Sequence, residues 1–231
     1  MSAMLPGETR PRLTDVSSPQ PEVISYRALR RAIGVLGILL PFLVTVIAWV
    51  FGDTGCQPSI SAYFHTTARE VFVGVLAVVG AFLISYKGFD STDSRASNLA
   101  GVAAICVAAF PCQSRFAGPK LGIFQLPQAW SNRVHILAAA TLFATLAVIS
   151  AFLFTRTAPH AMTRQKRSRN VVYRACAAVM VLALLEIAAS SLLMTEAKQD
   201  LYRTTLLGEA IALLAFGISW LVKGETILRD K

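Results

Sequence analysis

The chain has 231 residues, of which 55% are hydrophobic and only 15% charged, and its mean hydropathy is +0.56. Soluble domains carry about 25% charged residues, so the composition excludes an ordinary soluble domain, and its apolar patterning excludes a disordered chain. The formal net charge of +9 would suit nucleic acid. In so apolar a chain, however, a basic excess belongs to the loops of a membrane protein, and no nucleic-acid partner is expected.

A helical span needs about 20 apolar residues. In chain order the candidates are Ala32–Phe51, Val71–Tyr86, Ser97–Pro111, Val134–Phe154, Ala175–Met194 and Leu206–Val222. The second is short. The apolar run of the third begins only at Leu99, so its helix is expected to start nearer Ser94. Unpaired backbone groups are costly in hydrocarbon, so every span must be helical. The expected fold is therefore all-α: six transmembrane helices forming one domain over residues 32–222. A flexible cytoplasmic tail over 1–31 and a short one over 223–231 flank it. Pro6, Pro11, Pro19 and Pro21 punctuate the first tail, whose length and polarity do not suit a signal peptide.

Lys and Arg fix the expected orientation. Sixteen lie in the two tails, the second-third loop and the fourth-fifth loop, and six lie on the other side. Both termini are therefore expected in the cytoplasm. Gly34, Gly37, Gly74, Gly80 and Gly101 are expected to let helices approach closely. Trp49, Trp130, Trp220, Tyr86 and Tyr173 read as an interfacial aromatic belt, and Pro41 as a kink in span one.

The four cysteines show no metal-like spacing. Cys56 and Cys112 both fall on the expected outer side, where a disulfide between them would close a long loop and contribute about 2–4 kcal/mol. Cys106 and Cys176 fall inside helices and read as packing residues.

Two carboxylates, Glu186 and Glu209, lie inside spans, and such residues mark function unless they are paired. Ser190 shares the helix face of Glu186. His135 opens span four, and His65 ends the first-loop stretch Ser59-Ile-Ser-Ala-Tyr63-Phe-His65. These groups share the outer half of the bundle. They form a candidate ligand pocket of His65, His135, Glu186, Glu209, Tyr63 and Ser190, unless each is simply a structural hydrogen-bonding group.

Several fragments carry a resemblance. They are Phe51-Gly-Asp-Thr-Gly55-Cys-Gln-Pro58, Phe110-Pro111, the run from His135 to Phe143, Ser61-Ala-Tyr-Phe-His65, and the run from Phe216 to Gly224. Together they resemble the six-helix DRAM-like and fibroblast-growth-factor-receptor-activating-protein-like families, and most of all their bacterial relatives. The likeness covers roughly helices one to four. It implies a lipid-linked role in a bacterial inner membrane and supplies no catalytic residues. Cys56 within the turn departs from the pattern.

Three functions compete. The first is a lipid-associated protein whose outer pocket binds a lipid headgroup or small amphiphile, with membrane lipid as its partner. The second is a membrane-embedded hydrolase or acyltransferase using His65 or His135 with Glu186 or Glu209; two His and a carboxylate would also suit zinc. The third is a small proton-coupled transporter centred on Glu186, though no internal repeat supports it. The sequence specifies no cofactor, catalytic residue or oligomeric state.

Overall fold

The computed structural model describes residues 26–52, 55–88, 90–114, 117–156 and 163–228. Asp53 and Thr54 of the turn motif, and His160, lie outside these residues.

The chain is all-α apart from one small hairpin. The helices are α1 (Tyr26–Gly52), α2 (Arg69–Ser85), α3 (Ser91–Ala109), α4 (Gln128–Val148), α5 (Arg164–Leu193), α6 (Glu196–Tyr202) and α7 (Thr204–Lys223). A 3-10 turn, Ser61–His65, precedes α2. The hairpin pairs β1 (Lys120–Leu121) with β2 (Leu126–Pro127) antiparallel, with Leu121 opposite Leu126. Four helical segments are long and apolar enough to cross a membrane: Tyr26–Gly52, Gln128–Leu153, Arg164–Leu193 and Thr204–Lys223. The 17-residue α2 and 19-residue α3 pack beside them.

Local chemistry sets several boundaries. The Asp90 carboxylate caps α3 by accepting from Asp93 N at 2.9 Å, so the helix begins earlier than its apolar run. Thr163 Oγ1 caps α5 by accepting from Lys166 N at 3.0 Å. This cap brings the basic stretch from Arg164 to Arg174 into the helix rather than leaving it as loop. Helix α1 begins at Tyr26, so Tyr26–Arg31 are helical where a tail was expected, and it continues through Pro41. The end of α4 widens into a π turn over Ile149–Leu153. There the fully buried Ser150 and Ser219 bond hydroxyl to hydroxyl at 2.9 Å.

Each long helix packs on its neighbours in sequence, and α7 closes against α1, so α1, α2, α3, α4, α5 and α7 form a ring. Two crossings set its tightest points. A Cβ on Gly34 would lie 2.8 Å from Gly217 O, and one on Gly217 would lie 2.6 Å from Gly34 O. Gly80 and Gly101 oppose each other in the same way across α2 and α3. Here backbone meets backbone, as small residues permit in apolar surroundings. Gly74, by contrast, has open space where a side chain would stand, so it sets no approach.

The aromatic belt needs correction. Trp49 is 72% exposed, but Trp220 is 0% exposed, and Tyr86 and Tyr173 are buried. Trp220 packs edge-on against Tyr86 at 5.3 Å and Phe154 at 5.2 Å, and Phe154 meets Tyr173 at 5.4 Å. Such pairs contribute about 0.5–1.5 kcal/mol each beyond their buried area. These three rings belong to the core at the basic end, where α1 and α5 begin and α7 ends.

Exposed Phe42, Val46 and Val50 on α1, Leu137 on α4, and Leu182 and Leu185 on α5 give the bundle an apolar exterior. A bilayer solvates that surface and water does not.

The crossing geometry predicts opposite outcomes at two glycines. Gly217→Val should lower stability by about 1–3 kcal/mol, the usual cost of overpacking, while Gly74→Ala should leave it unchanged or slightly raised. Thermal unfolding of both variants in one detergent checks the contrast.

Candidate functional site

The opposite end of the bundle, the hairpin end, holds the loops between α1 and α2 and between α3 and α4. Leaving α3, the chain presents carbonyls with no helical partner, and three side chains take them in succession. His135 Nδ1 donates to Phe110 O at 2.7 Å, Ser131 Oγ to Pro111 O at 2.7 Å, and His65 Nε2 to Cys112 O at 2.9 Å. Asn132 Oδ1 then accepts from Gln113 N at 3.0 Å. The strap from Phe110 to Gln113 is thereby pinned by α4 on one side and by the 3-10 turn on the other.

The 3-10 turn is held in its own right. Glu209, in the first turns of α7, accepts from Ile60 N at 2.5 Å, Ser61 N at 3.2 Å and Ser61 Oγ at 3.0 Å. A carboxylate is thus set against the free N–H groups that open the turn, as an anion suits a helix start. Tyr63 is buried and its hydroxyl accepts from Gln57 N at 3.4 Å.

Beside this anchored turn lies a cavity of about 370 Å³, lined by Phe64, His65, Thr66 and Arg69 on one wall and by Ala117, Lys120, Leu121, Gly122 and Gln125 on the other. Among the described residues, two cations and no carboxylate line it. Arg69 is held over the Phe64 ring at 4.4 Å, a cation–π contact that places the guanidinium at the rim. Gly122 turns the hairpin at φ 70°, and a Cβ there would meet Ala109 O and Pro111 Cδ at 2.8 Å, so the wall depends on glycine.

The sequence-predicted residues divide. His65 lines the cavity. His135 is 3% exposed and, with Tyr63 and Glu209, supports the turn and strap from behind. Glu186 and Ser190 do not join them. Gly208 faces α5, where a Cβ would lie 2.8 Å from Glu186 Oε2. Glu209, about 100° further round α7, faces the first loop instead. Glu186 itself is exposed, and its carboxylate has no hydrogen-bond partner among the described residues. Ser190 Oγ bonds Ile187 O of its own helix at 3.0 Å.

The expected disulfide is not formed: Cys56 and Cys112 are both free thiols. Cys56 is exposed after α1, with Sγ 3.9 Å from Gln57 O. The pinned strap holds Cys112 inward, where burial, and then the charge of Glu209, push its thiol pKa up to about 12. Nor do the histidines and carboxylates gather as a metal site, since no group of three or more potential ligands comes together among the described residues.

Thr66, Arg69, Lys120 and Gln125 are the lining polar groups that sequence reasoning missed. A signal was present: Arg69 and Lys120 are two of the six basic residues that stand apart from the basic majority of sixteen.

No protein family, curated protein or solved structure matches the chain.

His65 yields a pH prediction. Burial holds its pKa below the usual value; the Cys112 carbonyl opposes this and the Arg69 charge adds to it. An unfolded histidine titrates near 6.5, so between the two values the unfolded chain binds more protons. The stability contributed by neutral His65 is therefore complete above about pH 6.5 and is lost as pH falls toward the folded value. His65→Gln retains a donor for Cys112 O and should make the acid limb of a stability–pH profile shallower.

Proposed function

We propose that the protein is a six-span integral membrane protein whose outer cavity binds an anionic lipid headgroup or a small anionic amphiphile. In this reading α2 and α3 complete the six spans, both termini are cytoplasmic, and the bacterial inner membrane is the site of action. The observation that carries it is the cavity's charge: among the described residues, Arg69 and Lys120 line it and no carboxylate does. Thr66, Gln125 and the imidazole add neutral hydrogen-bonding groups. Arg supplies a planar fork for phosphate and Lys a point charge. The apolar exterior of the bundle gives an attached acyl chain a surface to follow.

The geometry does not favour the hydrolase reading. His135 is 3% exposed, Glu209 is engaged by Ile60 and Ser61, Glu186 stands apart, and neither imidazole bonds a carboxylate among the described residues.

Charge-assisted hydrogen bonds contribute about 1.5–3 kcal/mol each. Titration of the detergent-solubilised full chain with a short-chain phosphatidylglycerol should therefore show affinity at least tenfold lower in Arg69→Gln/Lys120→Gln. Glu186→Gln should leave it unchanged, and a short-chain phosphatidylcholine should bind more weakly to the wild type. Equal affinity for both lipids, or no effect of the double substitution, would contradict the proposal.

A further inference from the structure

Helix α5 is the least covered of the four long apolar helices. Only 28% of the residues in its most apolar stretch are buried, against 39%, 44% and 50% in the other three. Its core side is one stripe, running from Tyr173 through Cys176, Met180 and Ala183 to Ser190. Outside that stripe one row has a regular spacing. Ala175, Val179, Leu182, Glu186, Ala189 and Leu193 follow one another at intervals of four, three, four, three and four residues, and all six are exposed. This is the heptad repeat by which two helices pack knobs into holes.

Five of the six are apolar, and Glu186 stands among them. It lies eight residues before Met194, the C-cap of α5, so about 12 Å along the axis from that end. A side chain with two methylene groups does not span that distance to water. An ionisable residue at such a depth faces a bundle interior or a partner. Glu186 has neither within its own chain: it is exposed, and its carboxylate has no hydrogen-bond partner among the described residues. On α7 the residue beneath its Oε2 is Gly208, which brings no side-chain donor. Ser190, one turn on, faces the core and bonds Ile187 O.

Whatever covers this row must offer a matching helix face and a polar group at the same depth. A second copy of the chain offers both. Copies inserted in the same orientation run α5 parallel to α5, and a two-fold axis sets each residue of the row against its own counterpart. Glu186 then meets Glu186. A carboxyl that keeps its proton is both donor and acceptor, so the pair complements itself, whereas acyl chains provide no hydrogen bond. Ala175 and Ala189 allow the two backbones to approach. A single polar residue within an apolar heptad row fixes register and strand number.

We propose that the protein forms a parallel two-fold dimer through this face of α5, with the Glu186 carboxyls of the two copies hydrogen-bonded to each other inside the membrane.

Energy transfer between labelled full-length chains, diluted stepwise into phosphatidylcholine liposomes, tests this. The wild type should dimerise reversibly. Glu186→Leu should weaken the dimer by about threefold to tenfold, the range of a polar contact between membrane helices. Glu186→Gln keeps a donor and an acceptor and should stay within about twofold of the wild type. Phe42→Ala/Val46→Ala, on the exposed face of α1, should change nothing. A second readout leaves Glu186 in place, so it holds even if Glu186→Leu fails to fold. In a Cys56→Ser background, Val179→Cys and Ala189→Cys should each oxidise to a cross-linked dimer. Val181→Cys and Ala188→Cys, exposed on the other flank of α5, should not. A chain that stays monomeric at every dilution would show that lipid or a different protein covers the row, and would overturn the proposal. Cross-linking no greater at 179 and 189 than at 181 and 188, or a Glu186→Leu dimer as tight as the wild type, would overturn it too.

Discussion

One carboxylate organises the hairpin end. Glu209 reaches from α7 to the two N–H groups and the hydroxyl that open the 3-10 turn, tying the last long helix to the first loop. Because α7 also closes the helical ring against α1 and α5, the turn inherits the rigidity of the bundle. His65 at the end of that turn then reaches the strap leaving α3, and His135 and Ser131 secure the strap from α4. The Glu209 anchor and the His65–Cys112 O bond together hold the wall that carries His65, Thr66 and Arg69 against the strap and hairpin carrying Lys120.

The two ends use positive charge in contrasting ways. At the hairpin end, two cations border an open cavity, and the surrounding backbone is satisfied by side chains. At the basic end, cations rest on aromatic faces over a crevice that is closed. The first arrangement leaves room for a ligand to enter. Between them, the Gly34–Gly217 and Gly80–Gly101 crossings and the Ser150–Ser219 bond fill the interior, which contains no comparable polar cluster among the described residues.

Much of the helical layout was legible because apolar runs of span length have few alternatives. Helix ends were less so. Asp90 and Thr163 extend α3 and α5 through caps that hydropathy does not register, and the same cap carries the basic stretch of α5 onto a helix. Intramembrane carboxylates were visible as exceptional residues, but their partners were not. Glu209 and Glu186 fall in neighbouring helices, yet they lie on different faces of the α5–α7 pair, and only Glu209 meets the loop. The disulfide expectation depended on Cys56 and Cys112 sharing a side, whereas strap geometry turns Cys112 inward. Trp220, Tyr86 and Tyr173 fall at span ends as belt residues do, but their faces point into the ring. Arg69 and Lys120 are 51 positions apart in sequence, and only the turn and the hairpin together bring them to one cavity.

The account rests most heavily on an anion occupying the cavity between Arg69 and Lys120. A crystal structure of the full chain, grown from a lipid mesophase doped with phosphatidylglycerol, tests this directly. The account predicts phosphate density within hydrogen-bonding distance of both side chains, with the glycerol and acyl portions running toward the apolar exterior. An empty cavity in the same crystals, or density for an acyl chain alone between the two cations, would contradict it.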